Sequence, residues 1–194
     1  LILGGIQKHL HQKLAFFRVA EPFLAHLTIS LAMTVFTIMP MLSYFLWRAL
    51  AKPFNFSRTL VFWFVLFSCV LFYSGAAFCY FITLPFGIDF LLGFQTEQLK
   101  PVISISDFVS FVSIFVLAFG LIFELPIFMI FMAKIQILPR AVFEKNRRYA
   151  ALAISVIAAL LTPTPDIFNM LLMGTPLYLL YEVGIIVLKL LRIP

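Results

Sequence analysis

Glu124 is the residue best placed to do chemistry, because it is the only charge between Phe108 and Ala133. A carboxylate inside so apolar a run costs several kcal/mol unless it is paired, solvated or protonated. Two roles fit it. It is either a functional polar site within the membrane or a neutral acid hydrogen-bonded to a neighbouring helix. The other reactive side chains are less well placed. His9 and His11 are two apart and do not share a helix face. His26 falls inside an apolar run and needs a partner there. Cys69 and Cys79 lie on one predicted helix about 15 Å apart along its axis, too far to bridge. No metal-ligand spacing, serine–histidine–acid set, P-loop or glycine-rich phosphate loop is present, so no catalysis, metal or cofactor is expected.

The elements that must position Glu124 are read from hydropathy. Of the 194 residues, 63% are hydrophobic and 11% charged, against about 25% charged in a soluble domain. The mean hydropathy is +1.10. This is the composition of a polytopic helical membrane protein. A crossing needs about 20 apolar residues. Five runs reach or approach that length, at about 24–47, 60–84, 106–134, 149–163 and 167–189. Pro40 interrupts the first, where Thr28, Ser30 and Thr34 can bond back to helix carbonyls. Ser57 fits an N-cap for the second, and Pro85 and Gly87 are expected to end it. Ser104, Ser106 or Asp107 can cap the third, and Pro126 gives it a place to kink. The fourth is short, which predicts local thinning of the bilayer around it. The fifth contains Pro176, with Glu182 near its end, placed to snorkel or to sit near Lys189 at helical spacing. The string from Thr162 to Asp166 makes a tight turn in which Asp166 caps the fifth helix.

Charge orients these runs. Of the 14 basic residues, four (Lys8, Lys13, Arg18 and Lys100) fall on the side of the N-terminus and ten on the other. The positive-inside rule puts the second side in the cytoplasm or matrix, with the N-terminus outside and the C-terminus inside. Tyr44 and Trp47, beside Arg48, read as an interfacial anchor. Residues 1–23 form an outer cap, either an interfacial helix or an ordered loop. The net charge of +6 carries no long basic run or basic–aromatic face, so no nucleic-acid partner is expected.

Several strings resemble the TatC family of twin-arginine translocase proteins. They are Phe119-Gly120-Leu121-Ile122-Phe123-Glu124-Leu125-Pro126, Arg147-Arg148-Tyr149, the turn Thr162-Pro163-Thr164-Pro165-Asp166, and Pro176-Leu177-Tyr178-Leu179-Leu180-Tyr181-Glu182. Upstream, Glu21-Pro22-Phe23, then Pro40, Tyr44 and Trp47, then Phe72-Tyr73-Ser74-Gly75 follow the same order. The register of the resemblance implies helices two to six of a six-helix family, with the first helix and a short inner N-terminal segment absent.

The resemblance implies a fold and a function. The fold is an all-α integral membrane protein with five transmembrane helices in a cupped, Pro-kinked bundle, shaped by Pro40, Pro126 and Pro176. The function is that of the receptor core of a translocase that moves folded proteins across an energised membrane. Its partners would be twin-arginine signal peptides and small single-helix subunits, with Glu124, Arg58 and Asp166 as the binding residues. Where the family's inner loop carries a glutamate–arginine pair, this chain has Ser57-Arg58, with Ala49 and Met170 at two further family positions. A loop with Arg48, Lys52 and Arg58 and no acid repels paired arginines. The alternative is therefore a structural subunit of a larger membrane complex, such as a mitochondrial respiratory assembly, with other membrane subunits as partners. The 25 phenylalanines favour the mitochondrial inner membrane over a bacterial one.

Overall fold

A computed structural model describes residues 20–92, 104–161 and 167–191 of the chain, and its regular elements are helices. Helix α1 spans Glu21–Ala51. The hydroxyls of Thr28, Ser30, Thr34 and Thr37 each donate to the carbonyl four residues earlier, at 2.7–3.0 Å. In lipid such local bonds satisfy groups that water cannot reach. His26 finds its partner the same way, with Nδ1 2.7 Å from the Pro22 carbonyl oxygen. Pro40 lies inside α1 and does not end it. A 3-10 turn, Lys52–Phe54, leads on to Asn55, which adopts a left-handed conformation (φ 51°).

Helix α2, Arg58–Phe78, does not stop at Pro85. It continues through a π-helical stretch, Cys79–Thr83, into α3, Leu84–Leu92. The Leu84 N–H bonds to the Cys79 carbonyl, five residues back. Pro85 is then the second residue of a new α-helical segment, where a missing N–H costs little. Helix α4, Ile105–Phe123, starts from Ser104, whose Oγ accepts the Asp107 N–H at 3.4 Å. Helix α5, Leu125–Lys134, follows after a break at Glu124. The break falls two residues before Pro126, whose ring crowds the carbonyl four residues back, that of Ile122. The Glu124 N–H accordingly bonds to Leu121, at 3.1 Å.

A short helix that the hydropathy did not reveal, α6, occupies Arg140–Lys145. Helix α7, Arg147–Leu161, has 15 residues and so is about 22 Å long. Helix α8, Ile167–Leu190, contains Pro176. Among the described residues, four helices are long and apolar enough to cross a membrane: Glu21–Phe54, Arg58–Ile88, Ile105–Lys134 and Met173–Leu190. They coincide with the first, second, third and fifth apolar runs, and α7 falls on the short fourth run. Most of the outer cap (1–19) and the turn at 162–166 lie outside the described residues.

The chain divides into two compact units, residues 1–38 with 76–118, and residues 39–75 with 119–194. In the first, Ala25, Cys79, Thr83, Leu84 and Val109 are buried, and Ser104 Oγ donates to Glu21 Oε2 at 3.3 Å. Phe23 and Leu31 of α1 are 71% and 61% exposed. An apolar surface of this kind suits lipid. The second unit has two cores that share α5. One joins Trp47, Phe64, Ile127 and Phe131. The other joins Met129, Ile154, Leu177, Tyr181 and Ile185.

Candidate functional site

In the second unit, two glycine–phenylalanine contacts set the distance between α2 and α4. A Cβ on Gly75 would lie 2.5 Å from the Phe123 ring, and one on Gly120 would lie 2.7 Å from the Phe72 ring. A side chain at Gly75 would also meet the Phe119 carbonyl oxygen, at 2.8 Å, and push the helices apart, whereas one at Gly120 would displace the Phe72 ring. The two contacts are reciprocal, since Gly75 and Phe72 are near neighbours on α2, as Gly120 and Phe123 are on α4. One turn before Phe72 stands Ser68, on the same face of α2.

That approach completes a buried polar chain. The Trp47 indole N–H donates to Ser68 Oγ at 3.0 Å, and Ser68 Oγ donates to Glu124 Oε2 at 2.9 Å. Trp47, Ser68 and Glu124 are 2%, 0% and 3% exposed. The indole is clamped by Phe64, stacked at 4.8 Å, and by Phe128 and Phe131, each at 5.4 Å. One carboxyl oxygen of Glu124 is therefore fixed. The other, Oε1, is buried and has no hydrogen-bond partner among the described residues. A buried oxygen without a partner is costly. It can accept from an incoming donor or, when protonated, donate to one. Ser43 Oγ is also buried, with the Cys69 thiol beside it.

Trp47 thus serves the protein interior. It is not the interfacial anchor expected from its place beside Arg48, because its N–H has a buried acceptor and its ring has three aromatic neighbours. Tyr44 does remain at the surface, where it accepts from Arg48 Nη1 at 3.0 Å and lies under the guanidinium, 5.7 Å from the ring centre. Arg58 begins α2, and Ser57 caps it by accepting the Leu60 N–H at 3.3 Å. Arg48, Lys52 and Arg58 line a cavity of about 960 Å³.

Glu182 also differs from expectation. It pairs with Arg147 at 3.2 Å and accepts from the Tyr178 hydroxyl at 3.0 Å. Lys189 pairs instead with Glu144 of α6, at 3.4 Å, as Arg140 does at 3.2 Å. Tyr181 donates to the Phe143 carbonyl at 2.8 Å, tying α6 to α8. Pro126 is buried in the second residue of α5, whereas Pro40 and Pro176 sit inside continuous helices. Asp166 lies outside the described residues.

Sequence reasoning missed Ser68 and Glu144. Ser68 was visible as one of the few polar residues in a chargeless run, but its facing partner was not. Glu144 lies on a helix too short for a hydropathy signal. Among the described residues, no three histidine, cysteine or acidic side chains come close enough to hold a metal.

Membrane-length apolar helices enclosing a buried carboxylate define a polytopic helical membrane protein with a polar site inside it. The profile of the Sec-independent protein translocase protein (TatC) family matches residues 1–176, and the chain belongs to that family. A TatC protein from Carboxydothermus hydrogenoformans is 34% identical over 186 residues, covering 94% of this chain and 76% of its own length. One from Desulforapulum autotrophicum is 36% identical over 176 residues, covering 90% and 65%. A crystal structure of the twin-arginine translocase receptor TatC in DDM superposes with a TM-score of 0.82 at 30% identity, covering 96% of this chain and 85% of the other. A second crystal structure of that receptor gives 0.80 at 34% identity, covering 97% and 84%.

Proposed function

We propose that this chain is the receptor core of a twin-arginine-type translocase, and that Glu124 is the point at which a signal peptide or a small single-helix partner engages it. The observation that carries the reading is the unpartnered Glu124 Oε1, held in place by Ser68 and Trp47 at a helix break. An intramembrane carboxylate with a free acceptor is what a donor on an incoming helix needs. The names of the matched relatives favour transport over the structural-subunit alternative.

The inner loop takes a different part. Its cations repel paired arginines, so Arg58 is assigned to anionic groups and Glu124 carries the contact with the signal or partner. Asp166, at the outer turn, is assigned to partner helices on that side. The orientation rests on the excess of basic residues at the inner ends. The mitochondrial inner membrane is supported by phenylalanine content alone, while the relatives compared are bacterial.

The test is export of a folded reporter bearing a paired-arginine signal, with the full-length protein supplied as wild type or as Glu124→Ala. Export is expected to fall at least tenfold, about 1.4 kcal/mol in the rate-determining step, with the protein still present in the membrane. Unchanged export by a stably inserted variant would count against the assignment.

A further inference from the structure

We propose that the cavity between the end of α1 and the start of α2 binds the phosphate of an anionic phospholipid. Arg48, Lys52 and Arg58 line it, together with the amide side chain of Asn55. None of the three cations has a carboxylate partner among the described residues, whereas Arg140, Arg147 and Lys189 of α6, α7 and α8 each have one. Arg48 is steadied by Tyr44, through a hydrogen bond and the ring face, which leaves the rest of its guanidinium fork for another acceptor. Guanidinium groups bind phosphate oxygens through paired, charge-assisted hydrogen bonds.

The second feature is the wall. Val61, Phe62 and Val65 also line the cavity. Phe62 and Val65 are four and seven residues after Arg58, so they continue its face of α2 away from the loop. Phe62 is 61% exposed. The site therefore has a cationic mouth and an apolar wall beneath it, the layering of a phospholipid headgroup and its chains. Its level fits as well, because the loop joins two membrane-length helices, Glu21–Phe54 and Arg58–Ile88. By the basic-residue excess it lies on the inner face, where anionic lipids attract clustered Lys and Arg at about fivefold in binding per cation. A free phosphate shares the chemistry of the mouth and makes no use of the wall. This inference stands apart from the translocase reading, since it requires only that the chain spans a membrane.

The test is native mass spectrometry of the full-length protein in mild detergent, titrated with phosphatidylglycerol, with phosphatidylcholine of the same chains, with inorganic phosphate, and with an acidic peptide. Phosphatidylglycerol is expected to bind about a hundredfold more tightly than phosphatidylcholine, about fivefold for each of the three cations. The Arg48→Gln/Arg58→Gln variant is expected to cut that preference to about fivefold. Arg148→Gln, which removes a single charge outside the cavity, should keep it within about twofold. Lys52→Gln alone should weaken phosphatidylglycerol about fivefold, and decides the matter should the double variant not fold. The proposal is overturned if wild type shows no preference, if Arg148→Gln loses as much as the double variant, or if Lys52→Gln binds as wild type does. It is equally overturned if inorganic phosphate or the acidic peptide competes as well as the lipid.

Discussion

Two regions of the second unit carry clusters of cations and handle them in opposite ways. Around α6, α7 and α8, Arg140, Arg147 and Lys189 are matched by Glu144 and Glu182, and two tyrosine hydroxyls add bonds to Glu182 and to the Phe143 carbonyl. At the loop between α1 and α2, Arg48, Lys52 and Arg58 surround a cavity and pair with no acid among the described residues. The loop is held from below instead, by the Trp47, Phe64, Ile127 and Phe131 core, on which Phe56 and Leu60 pack. The difference separates two uses of positive charge. Matched cations fasten helices to one another. Unmatched cations over an apolar footing are left for a group from outside.

The contrast breaks most sharply at Trp47. If aromatic packing is what holds the loop, Trp47→Ala should destabilise the protein by about 3–5 kcal/mol, the cost of emptying a large buried aromatic site. Trp47→Phe keeps most of the ring packing and removes the N–H that Ser68 accepts, so it should cost about 1 kcal/mol. Reversible unfolding in mixed detergent micelles measures both. A Trp47→Ala loss no larger than that of Trp47→Phe would mean that the hydrogen bond, and not the packing, supports this end.

Much of this arrangement is legible in the amino-acid sequence, and the reasons are physical. Long apolar runs mark crossings because lipid tolerates little else, and the α1, α2, α4–α5 and α8 spans followed. Glu124 announced itself as a lone charge. Proline was read less well. Pro85 looked like a stop, yet a π-helical stretch before it absorbs the missing bond. Pro126 located its kink only to within two residues. What stayed hidden was pairing between distant segments. Nothing local joins Trp47 to Ser68 or Ser68 to Glu124, and the glycine–phenylalanine contacts that bring them together involve residues far apart in the chain. Partner choice among charges was hidden too. Helical spacing proposed Lys189 for Glu182, whereas the tertiary fold gives Glu182 to Arg147 and Lys189 to Glu144.

A smaller effect tests the matched cluster. Glu144→Gln removes the acid shared by Arg140 and Lys189, and both pairs are partly exposed. Such pairs contribute about 0.2–1 kcal/mol each, so the variant should lose about 1 kcal/mol, with α6 the first element to loosen. Hydrogen exchange over residues 140–145 is the direct readout. Faster exchange there with α1 and α2 unchanged is expected, while uniform exchange across the unit would mean that α6 is held by Tyr181 and Phe143 alone.

The smallest effect has the opposite sign, and so discriminates best. In the absence of lipid, Lys52→Gln removes one of three like charges crowded around the cavity and breaks no ion pair among the described residues. Its stability in neutral detergent should change by no more than about 0.5 kcal/mol, in the stabilising direction, because repulsion between Lys52 and the two arginines is relieved. Added salt should narrow the gap from wild type by screening that repulsion in the unmutated protein. A loss comparable to that of Glu144→Gln would show that Lys52 fastens the fold as the matched cations do, and the distinction between the two regions would fail at this residue.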